Sequence, residues 1–458
     1  MEVVILAAGK GTRMNSSSPK VLHEIGGRPM LSHVISSALE LEPDKIHIVV
    51  GYGADQVATK IEDEFPDVPV NWVTQSEQLG TGHALQQALP DINTDSDENP
   101  VLVLFGDVPL IRKETLSAML LEPQADELSL LTFEASPPAG FGRIIRDSDA
   151  AVTAIIEERD ASAAQKLISE VNSGIMAIPA QALPSWLQSL GNNNDQGEYY
   201  LTDIIALAHS EGVTIRAFMA QDEMEAMGVN NKVQLALLER HLQKNIANDL
   251  MEAGVTLRDP ARIDVRGTLR CGQDVVVDVN AIFEGKVTLG DGVSIGPNCV
   301  IKNASIAAGT VILAGTNIED AEIGPQASIG PLARLRPGTK LGANTKIGNF
   351  VETKNVIMGD GSKANHLAYL GDVELGSGCN IGAGTIVCNY DGVSKHKTQL
   401  GDNVFIGSNS VLIAPVKLAD NAFVAAGSAV TSDVPADSLA VARGKQRVIA
   451  GWKRPSKS

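Results

Sequence analysis

Aromatic side chains make up only 4% of the 458 residues, and cysteine occurs four times, as Cys271, Cys299, Cys379 and Cys388. No two of these form a C-x-x-C pair, which argues against a zinc site or a thioredoxin-like dithiol. A chain this long needs no disulfide staples, so four reduced thiols are expected. Cations are also in deficit: 37 Lys+Arg stand against 55 Asp+Glu, a net charge of −18. That excludes a general nucleic-acid binder, which neutralises phosphates with clustered Lys and Arg. No segment approaches 18 consecutive apolar residues, so no membrane partner is expected. The start, Met1-Glu2-Val3-Val4-Ile5-Leu6, has no basic region or cleavage-type site and reads as a strand rather than a signal peptide. These absences together lead us to expect a cytoplasmic protein. Glycine shows no period of three, which excludes collagen, and 44% hydrophobic content excludes wholesale disorder.

Glycine itself is plentiful and unevenly placed, with 16 in residues 1–250 and 27 in the shorter stretch 251–458. At roughly 100–200 residues per domain, two or three domains are expected. In the first half, apolar runs at Val3–Ala8, Ile46–Val50, Val70–Val73, Val101–Phe105 and Leu128–Phe133 alternate with amphipathic stretches such as Pro29–Leu41 and Gly82–Leu89. The alternation predicts βαβ units and a mostly parallel, Rossmann-like sheet covered by helices. Such a sheet binds ligands at the carboxyl ends of its strands, near the topological switch point. Leu235, Leu238, Leu242, Ile246 and Leu250 then recur every three or four residues, a helical linker stopped by Gly254. The expected domains are 1–230, the linker 231–253, and 254–458.

The second half has a different period. Large apolar residues, nearly all aliphatic, recur at Phe283, Leu289, Ile295 and Ile301, at Ile312, Ile318, Ile329, Leu335, Leu341 and Ile347, and again from Leu375 and Ile381 to Val424 and Val430. Most gaps are six residues, with five-residue slips at Ile306 and Ile323. A period of six is the mark of a hexapeptide parallel β-helix, in which one aliphatic per hexad points inward and small residues turn the corners. The period reads as broken twice, at about Asn349–Leu370 and at Cys388–Gln399, and insertions in solenoids collect at sites. Residues 438–458 carry Arg443, Lys445, Arg447, Lys453, Arg454 and Lys457 and no acid, a tail suited to neutralising phosphates.

Chemistry-bearing residues follow the first strand directly. Leu6-Ala7-Ala8-Gly9-Lys10-Gly11-Thr12-Arg13-Met14 leads to Pro19-Lys20. A strand entering a glycine-rich turn exposes successive N–H groups to an anion. Arg13 adds a planar phosphate ligand and Lys20 a point charge. Gln75 is followed by Gly80-Thr81-Gly82-His83-Ala84, and Val101–Phe105 by Gly106-Asp107, which puts a carboxylate at a strand's carboxyl end. Further on come Gly140–Ile144, Glu157, Glu170–Gly174, Glu198–Asp203 and Gly228–Asn231. In this order the set resembles the sugar-1-phosphate nucleotidyltransferases. The resemblance implies that Leu6, Ala7, Ala8, Gly9, Lys20, Gln75, Gly80, Thr81, Phe105, Gly106, Asp107, Gly142, Glu157, Asn172 and Asn230 hold UTP and its nucleotide-sugar product. It implies that Arg13 and Lys20 are catalytic and that Asp107 and Asn230 bind Mg²⁺, an ion that takes few protein oxygens and keeps waters.

The second half carries polar clusters that a purely structural prism does not need. They are Arg334–Gly338, Gly348–Lys354, Lys363–Asp372, Asn380–Gly384 and Cys388–Gly392. His366 among them is a natural general base near neutral pH. These segments resemble the hexapeptide acyltransferases. The chain as a whole resembles the family of bifunctional N-acetylglucosamine-1-phosphate uridylyltransferase/glucosamine-1-phosphate N-acetyltransferases. The resemblance implies a left-handed coil, a homotrimer, and His366 as catalytic base. Arg336, Lys354, Tyr369 and Asn380 would bind glucosamine-1-phosphate, and Ala383, Asn389, Tyr390, Ser408, Ala426 and Arg443 acetyl-CoA. The small-molecule partners would be UTP, acetyl-CoA and the two sugar phosphates, and the product would feed cell-wall and lipopolysaccharide synthesis. Two alternatives remain at this point: a monofunctional nucleotidyltransferase with a structural or regulatory β-helix, and a noncatalytic scaffold. Phe105 stands where close relatives often carry Tyr, and Asn365 where they often carry Gly.

Overall fold

The apolar runs of the first half form strands because nearly every side chain in them is buried. In β1 (Glu2–Ala7), Val3, Ile5 and Ala7 pack into one apolar cluster, while Val4 and Leu6 pack into another on the opposite face. A strand covered on both faces reads as continuously apolar rather than alternating. The computed structural model describes residues 1–95, 100–121 and 126–454; Lys457 of the basic tail lies outside them. The chain divides between Leu242 and Gln243 into two compact units.

Among the described residues, the first unit is built on a nine-stranded sheet. After β1 come β2 (Lys45–Val50), β3 (Val70–Thr74), β4 (Pro100–Phe105), β5 (Leu128–Glu134), β6 (Arg143–Arg146), β7 (Val152–Ile156), β8 (Glu170–Pro179) and β9 (Ile215–Met219). The main order is β9-β5-β8-β4-β1-β2-β3, with the β6–β7 hairpin attached to β8. β1 runs parallel to both β2 and β4, so the chain changes direction across the sheet at β1 and leaves a crevice beyond its carboxyl end. The sheet is more mixed than the expected mostly parallel one, because β8 runs antiparallel between β4 and β5. That direction brings the start of β8 to the ligand-facing ends of its neighbours, pairing Asn172 with Thr132 near the end of β5. Helices α1 (Met30–Leu39) and α2 (Thr81–Ala88) pack on the sheet.

The linker helix α3 (Lys232–Glu252) contains the division between units. In the first unit, Leu235, Leu238 and Leu242 pack with Met14, Ile25, Met30 and Val229. In the second, Ile246, Ala247 and Leu250 join the prism's core. Gln243, also in the second, is 2% exposed; its Nε2 donates to Val265 O (2.8 Å) and its Oε1 accepts from Val265 N (2.7 Å). Its amide thus imitates a neighbouring strand and covers a sheet edge.

The second unit is a parallel β-helix whose interior contains three columns of large inward side chains, with smaller buried residues between them. One runs Val277, Ile295, Ile312, Ile329, Ile347, Ala364, Ile381, Ile406, Val424. Another begins Phe283, Ile301, Ile318, Leu335, Thr353, Leu370. The third runs Leu289, Ile306, Ile323, Leu341, Met358, Leu375, Leu400, Leu418. Each buried aliphatic contributes roughly 1.5–3 kcal/mol. The first expected break, Asn349–Leu370, is not one: strands Lys346–Asn349, Glu352–Met358, Lys363–His366 and Tyr369–Leu375 continue the ladders. The inward positions persist there but are filled by Thr353, Met358 and Ala364, which hides the period; Thr353 is satisfied by the Thr339 hydroxyl at 2.9 Å. The second break is real. The step from Ile386 to Val411 is 25 residues where the successive coils from Ile263 to Ile386 take 17 or 18, and the excess forms a loop.

Gln243→Ala leaves the Val265 N–H and C=O unpaired in a buried position. We expect it to lower stability by about 2 kcal/mol, read as a fall in the thermal midpoint of the second unit.

Candidate functional site

The glycine-rich turn after β1 is held by its own packing. Met14, 1% exposed, anchors the short helix Thr12–Met14. Gly11 adopts φ +60°, and a Cβ there would lie 2.6 Å from Lys20 Cβ, so glycine lets Lys20 close over the turn. Lys20 Nζ donates to Asp107 Oδ2 and, at 3.2 Å, to Asn230 Oδ1. Arg13 donates to the same Asn230 oxygen at 2.9 Å. Val229 N to Asp107 O, 2.9 Å, ties together the segments carrying Asp107 and Asn230, the two expected oxygen ligands. Four residues from three distant stretches of chain thus meet at one point, with the Lys20 and Asp107 side chains about 15% exposed.

A cavity of about 500 Å³ opens beside this point, lined by residues 6–13, Lys20, Gln75, Gln78, Gly80, Thr81, Phe105, Asp107, Glu198 and Asn230. A second, of about 220 Å³, shares Thr81, Phe105, Asp107 and Asn230 with the first and adds Gly142, Glu157, Asn172 and Thr202. All the residues predicted for the nucleotide and its sugar line one or the other except Gly106. Gly106 packs instead where a Cβ would be 3.2 Å from Ala7, Val21 and Leu31, and it donates to Leu6 O. The register of β8 shifts between Asn172 and Met176, and this bulge turns Asn172 to Gly174 into the cavity. Gly174, at φ +90°, leaves room for the Phe105 ring, which a Cβ would meet at 2.7 Å. Apolar contact thus stands where a tyrosine would have offered a hydroxyl.

Glu157 accepts from Thr202 Oγ1 at 3.1 Å. Burial pushes its carboxyl above the usual range; the Thr202 bond opposes this, and Asp203, Asp160 and Glu198 add to it. Gln78 and Thr202 are site residues that sequence reasoning misses. Thr202 lies within a segment already singled out, whereas Gln78 has no motif to mark it.

The cavity residues fit a small hard cation. Asp107 and Asn230 present oxygens that already share one ammonium, and among the described residues no group of three or more His, Cys, Asp or Glu is placed to hold a metal ion. Two oxygens suit an ion that completes its shell with phosphate and water.

In the prism, cations gather where the ladders place them side by side. Arg336 NH1 donates to Glu352 Oε1 at 2.8 Å. The Lys354 ammonium is held below the ordinary lysine range by the hydrogen bond and charge of Lys395, then by the Arg336 charge; Asp372 opposes this. Burial pushes Asp372 up, but hydrogen bonds from Asn355 and Asn389 and the charges of Lys395 and Lys354 outweigh it and hold it low. Lys395 belongs to the inserted loop, and sequence reasoning does not single it out; its signal is a cation inside an off-period segment. The Asp391 carboxylate folds that loop by accepting from Val393 N, Ser394 N and His396. Asn389, buried, anchors its start on Asp372 at 2.5 Å. Tyr390 is exposed and donates to Gly392 O.

His366 sits in register opposite Asn349, with Nδ1 2.8 Å from Asn349 Oδ1. It falls inside the first expected break, yet it lies on a regular strand with its side chain outside the inward column. Tyr369 faces Glu352 across the ladder, and Gly371 leaves room for its hydroxyl, which a Cβ would meet at 2.6 Å. His366, Ala383, Ser408, Ala426 and Arg443 follow one another along one corner. The links are Gly384 N to His366 O, Asn409 N to Ala383 O, Gly427 N to Ser408 O and Arg443 NH1 to Ala426 O. Asn380 stands apart: the ladder places it beside Lys363, three residues before His366 on the same strand, roughly 10 Å away along it. The four cysteines are free thiols; burial holds Cys271, Cys299 and Cys379 up, Cys271 to about 11. Cys388 is half-buried.

Fold and sites define a two-part transferase, with a nucleotidyltransferase-type sheet followed by a hexapeptide-type left-handed β-helix. Residues 3–170 match the model of the MobA-like NTP transferase domain, and residues 397–432 that of the hexapeptide repeat of succinyl-transferase. Proteins named bifunctional protein GlmU are similar over the whole chain. The one from Marinobacter nauticus is 56% identical over 100% of this chain and 99% of its own, and the one from Neisseria meningitidis serogroup C 54% over 100% and 98%. The one from Stutzerimonas stutzeri is 52% identical over 100% and 99%. The chain belongs to the GlmU family of bifunctional proteins. No helix among the described residues is long and apolar enough to cross a membrane.

The Lys354 perturbation has a direct check. Lys395→Ala removes its largest cause, so the Lys354 pKa should rise toward the ordinary lysine value in an NMR titration; an unchanged value would contradict the proximity of the two ammonium groups.

Proposed function

We infer that the chain catalyses two successive transfers. The prism N-acetylates glucosamine-1-phosphate from acetyl-CoA, and the α/β unit transfers uridylyl from UTP to the resulting N-acetylglucosamine-1-phosphate, releasing pyrophosphate. The observation that carries the reading is the presence, on one chain matching bifunctional relatives end to end, of two separate cation clusters. One, Arg13–Lys20–Asp107–Asn230, opens on a nucleotide-sized cavity; the other, Arg336–Lys354–Lys395, lies on the prism that carries His366. A merely structural β-helix has no use for the second, which disfavours the monofunctional alternative.

In the α/β unit, a phosphate oxygen of N-acetylglucosamine-1-phosphate attacks the α-phosphorus of UTP, a P–O bond forms, and the bond to the β-phosphate bridging oxygen breaks. No proton acceptor or covalent intermediate is needed, so positioning and charge neutralisation carry the rate. The turn N–H groups, Arg13 and Lys20 hold the phosphates. Members of this family generally use a divalent metal. Asp107 and Asn230 would hold Mg²⁺, which supplies further neutralisation of the transferring phosphoryl when bound. Gln75, Gly80 and Thr81 face the base, and Glu157, Asn172 and Gly142 face the sugar.

In the prism, Arg336, Lys354 and Lys395 take the sugar phosphate, and Tyr369 positions the sugar. Asn349 Oδ1 accepts from the Nδ1–H of His366, leaving the Nε2 lone pair to receive a proton as the amine attacks the thioester carbonyl. An amide bond forms, the C–S bond breaks, and CoA leaves as the thiol once protonated. The corner from His366 to Arg443 spans four coil steps, roughly 19 Å at about 4.8 Å each. That length suits an extended acetyl-CoA with its thioester at His366 and its phosphates at Arg443, against the small corners at Ala383 and Ala426. Asn380, remote from His366 within one chain, fits a homotrimer in which a neighbouring copy completes the site, with the molecule working in the cytoplasm.

Two activity tests follow. His366→Ala should abolish CoA release from acetyl-CoA and glucosamine-1-phosphate while leaving pyrophosphate release from UTP and N-acetylglucosamine-1-phosphate intact; Asp107→Ala should do the reverse. Full CoA release by His366→Ala would remove the proposed base. The second test concerns Glu157, which accepts from the sugar more strongly as the carboxylate than as the neutral acid. Because its pKa is raised, KM for N-acetylglucosamine-1-phosphate should climb as pH falls, starting above the ordinary carboxylate range. Glu157→Gln should show a higher KM that no longer varies in that window.

A further inference from the structure

We propose that His83, which the mechanism above does not use, is a positioning residue that sets pyrimidine specificity by locking the Gln75 carboxamide in one of its two orientations. The proposal rests on the uridylyl-transfer reading and specifies how that site chooses its base.

Gln75 lines the nucleotide cavity and is only 3% exposed. Its backbone is fixed by Gln75 N to Val50 O, 2.8 Å, at the end of β2. The amide nitrogen has two partners: it lies 3.1 Å from Gly80 O and 2.9 Å from His83 Nδ1. A carbonyl can only accept, so the group facing Gly80 is the NH₂. The same NH₂ faces His83, so Nδ1 must also accept, and the neutral ring carries its proton on Nε2. Gln87 Nε2 lies 3.2 Å from that nitrogen, one helical turn along α2, and 3.4 Å from His83 O; with its carboxamide turned over, which gives up the contact to His83 O, Gln87 presents Oε1 to accept the Nε2 proton and hold it there. With both amide hydrogens committed, Gln75 has only Oε1 left, and no described residue donates to it.

The cavity is therefore offered an acceptor at this point. Uracil presents a donor, N3–H, where cytosine presents a bare N3. An acceptor facing N3 pairs with the first and repels the second, and a buried site built around one hydrogen-bonding pattern discriminates strongly against its inverse. Turning the Gln75 amide over would put its oxygen against two acceptors, Gly80 O and His83 Nδ1, and would offer NH₂ to the base. Of the two groups that oppose this turn, His83 is the side chain, and so the one that substitution can remove.

The test is the ratio of kcat/KM for UTP to that for CTP, with N-acetylglucosamine-1-phosphate as acceptor. In His83→Ala we expect the UTP value to fall by roughly tenfold or more and the CTP value to hold or rise. The ratio should then collapse by one to two orders of magnitude. His83→Gln, which offers an amide oxygen in place of Nδ1, should recover most of the ratio at a thermal midpoint close to that of the parent. Parallel loss of UTP and CTP use in both variants, or an unchanged ratio in His83→Ala, would overturn the proposal. A parent chain that released no pyrophosphate from UTP would instead overturn the uridylyl-transfer reading.

Discussion

Every substrate assigned to this chain is an anion, and the chain carries a net charge of −18. On the proposed reading, the two sites depend on a few cations held where the phosphates would lie. A lone ammonium or guanidinium at the surface is mobile and well hydrated, and ordering it for a ligand costs side-chain entropy. Here that ordering is done in advance. Lys20 is held by Asp107 and Asn230, Arg13 by Asn230, and Arg336 by Glu352. Lys354 and Lys395 are crowded together until their charges oppose one another, and Asp372 tempers the repulsion.

Backbone geometry then decides where those cations point. In the α/β unit the change of strand order at β1 opens the crevice, and Gly11 and Gly174 let Lys20 and Phe105 approach where any Cβ would collide. In the prism, parallel coils bring residues 17, 18 or 25 positions apart into register, so His366, Ala383, Ser408, Ala426 and Arg443 become neighbours on one corner. The same ladder that buries three aliphatic columns spaces a chemical track along the outside.

Much of this is legible in the order of residues alone. The apolar runs of the first half locate its core strands because parallel strands buried on both faces leave no polar alternation to confuse the reading. The period of six announces the β-helix because each hexad must send one aliphatic inward. The false break at Asn349–Leu370 shows the limit of that signal. Thr353, Met358 and Ala364 occupy inward positions without looking like their neighbours, and only the ladder shows that the coil continues. Lys395 escapes notice because an inserted loop has no period, and Gln78 and Thr202 because no motif distinguishes them.

By itself, the sequence determined the two architectures, their order, and the residue types at most of the candidate site. Local pattern and turn chemistry are properties of consecutive residues, and they survive without coordinates. Tertiary structure alone decided the antiparallel course of β8, the bulge that turns Asn172 inward, and the gathering of Lys20, Asp107 and Asn230 at one point. It also placed Lys395 beside Lys354 and Gln75 between Gly80 and His83. Each of these is a contact whose sign and geometry arise only when the chain closes on itself.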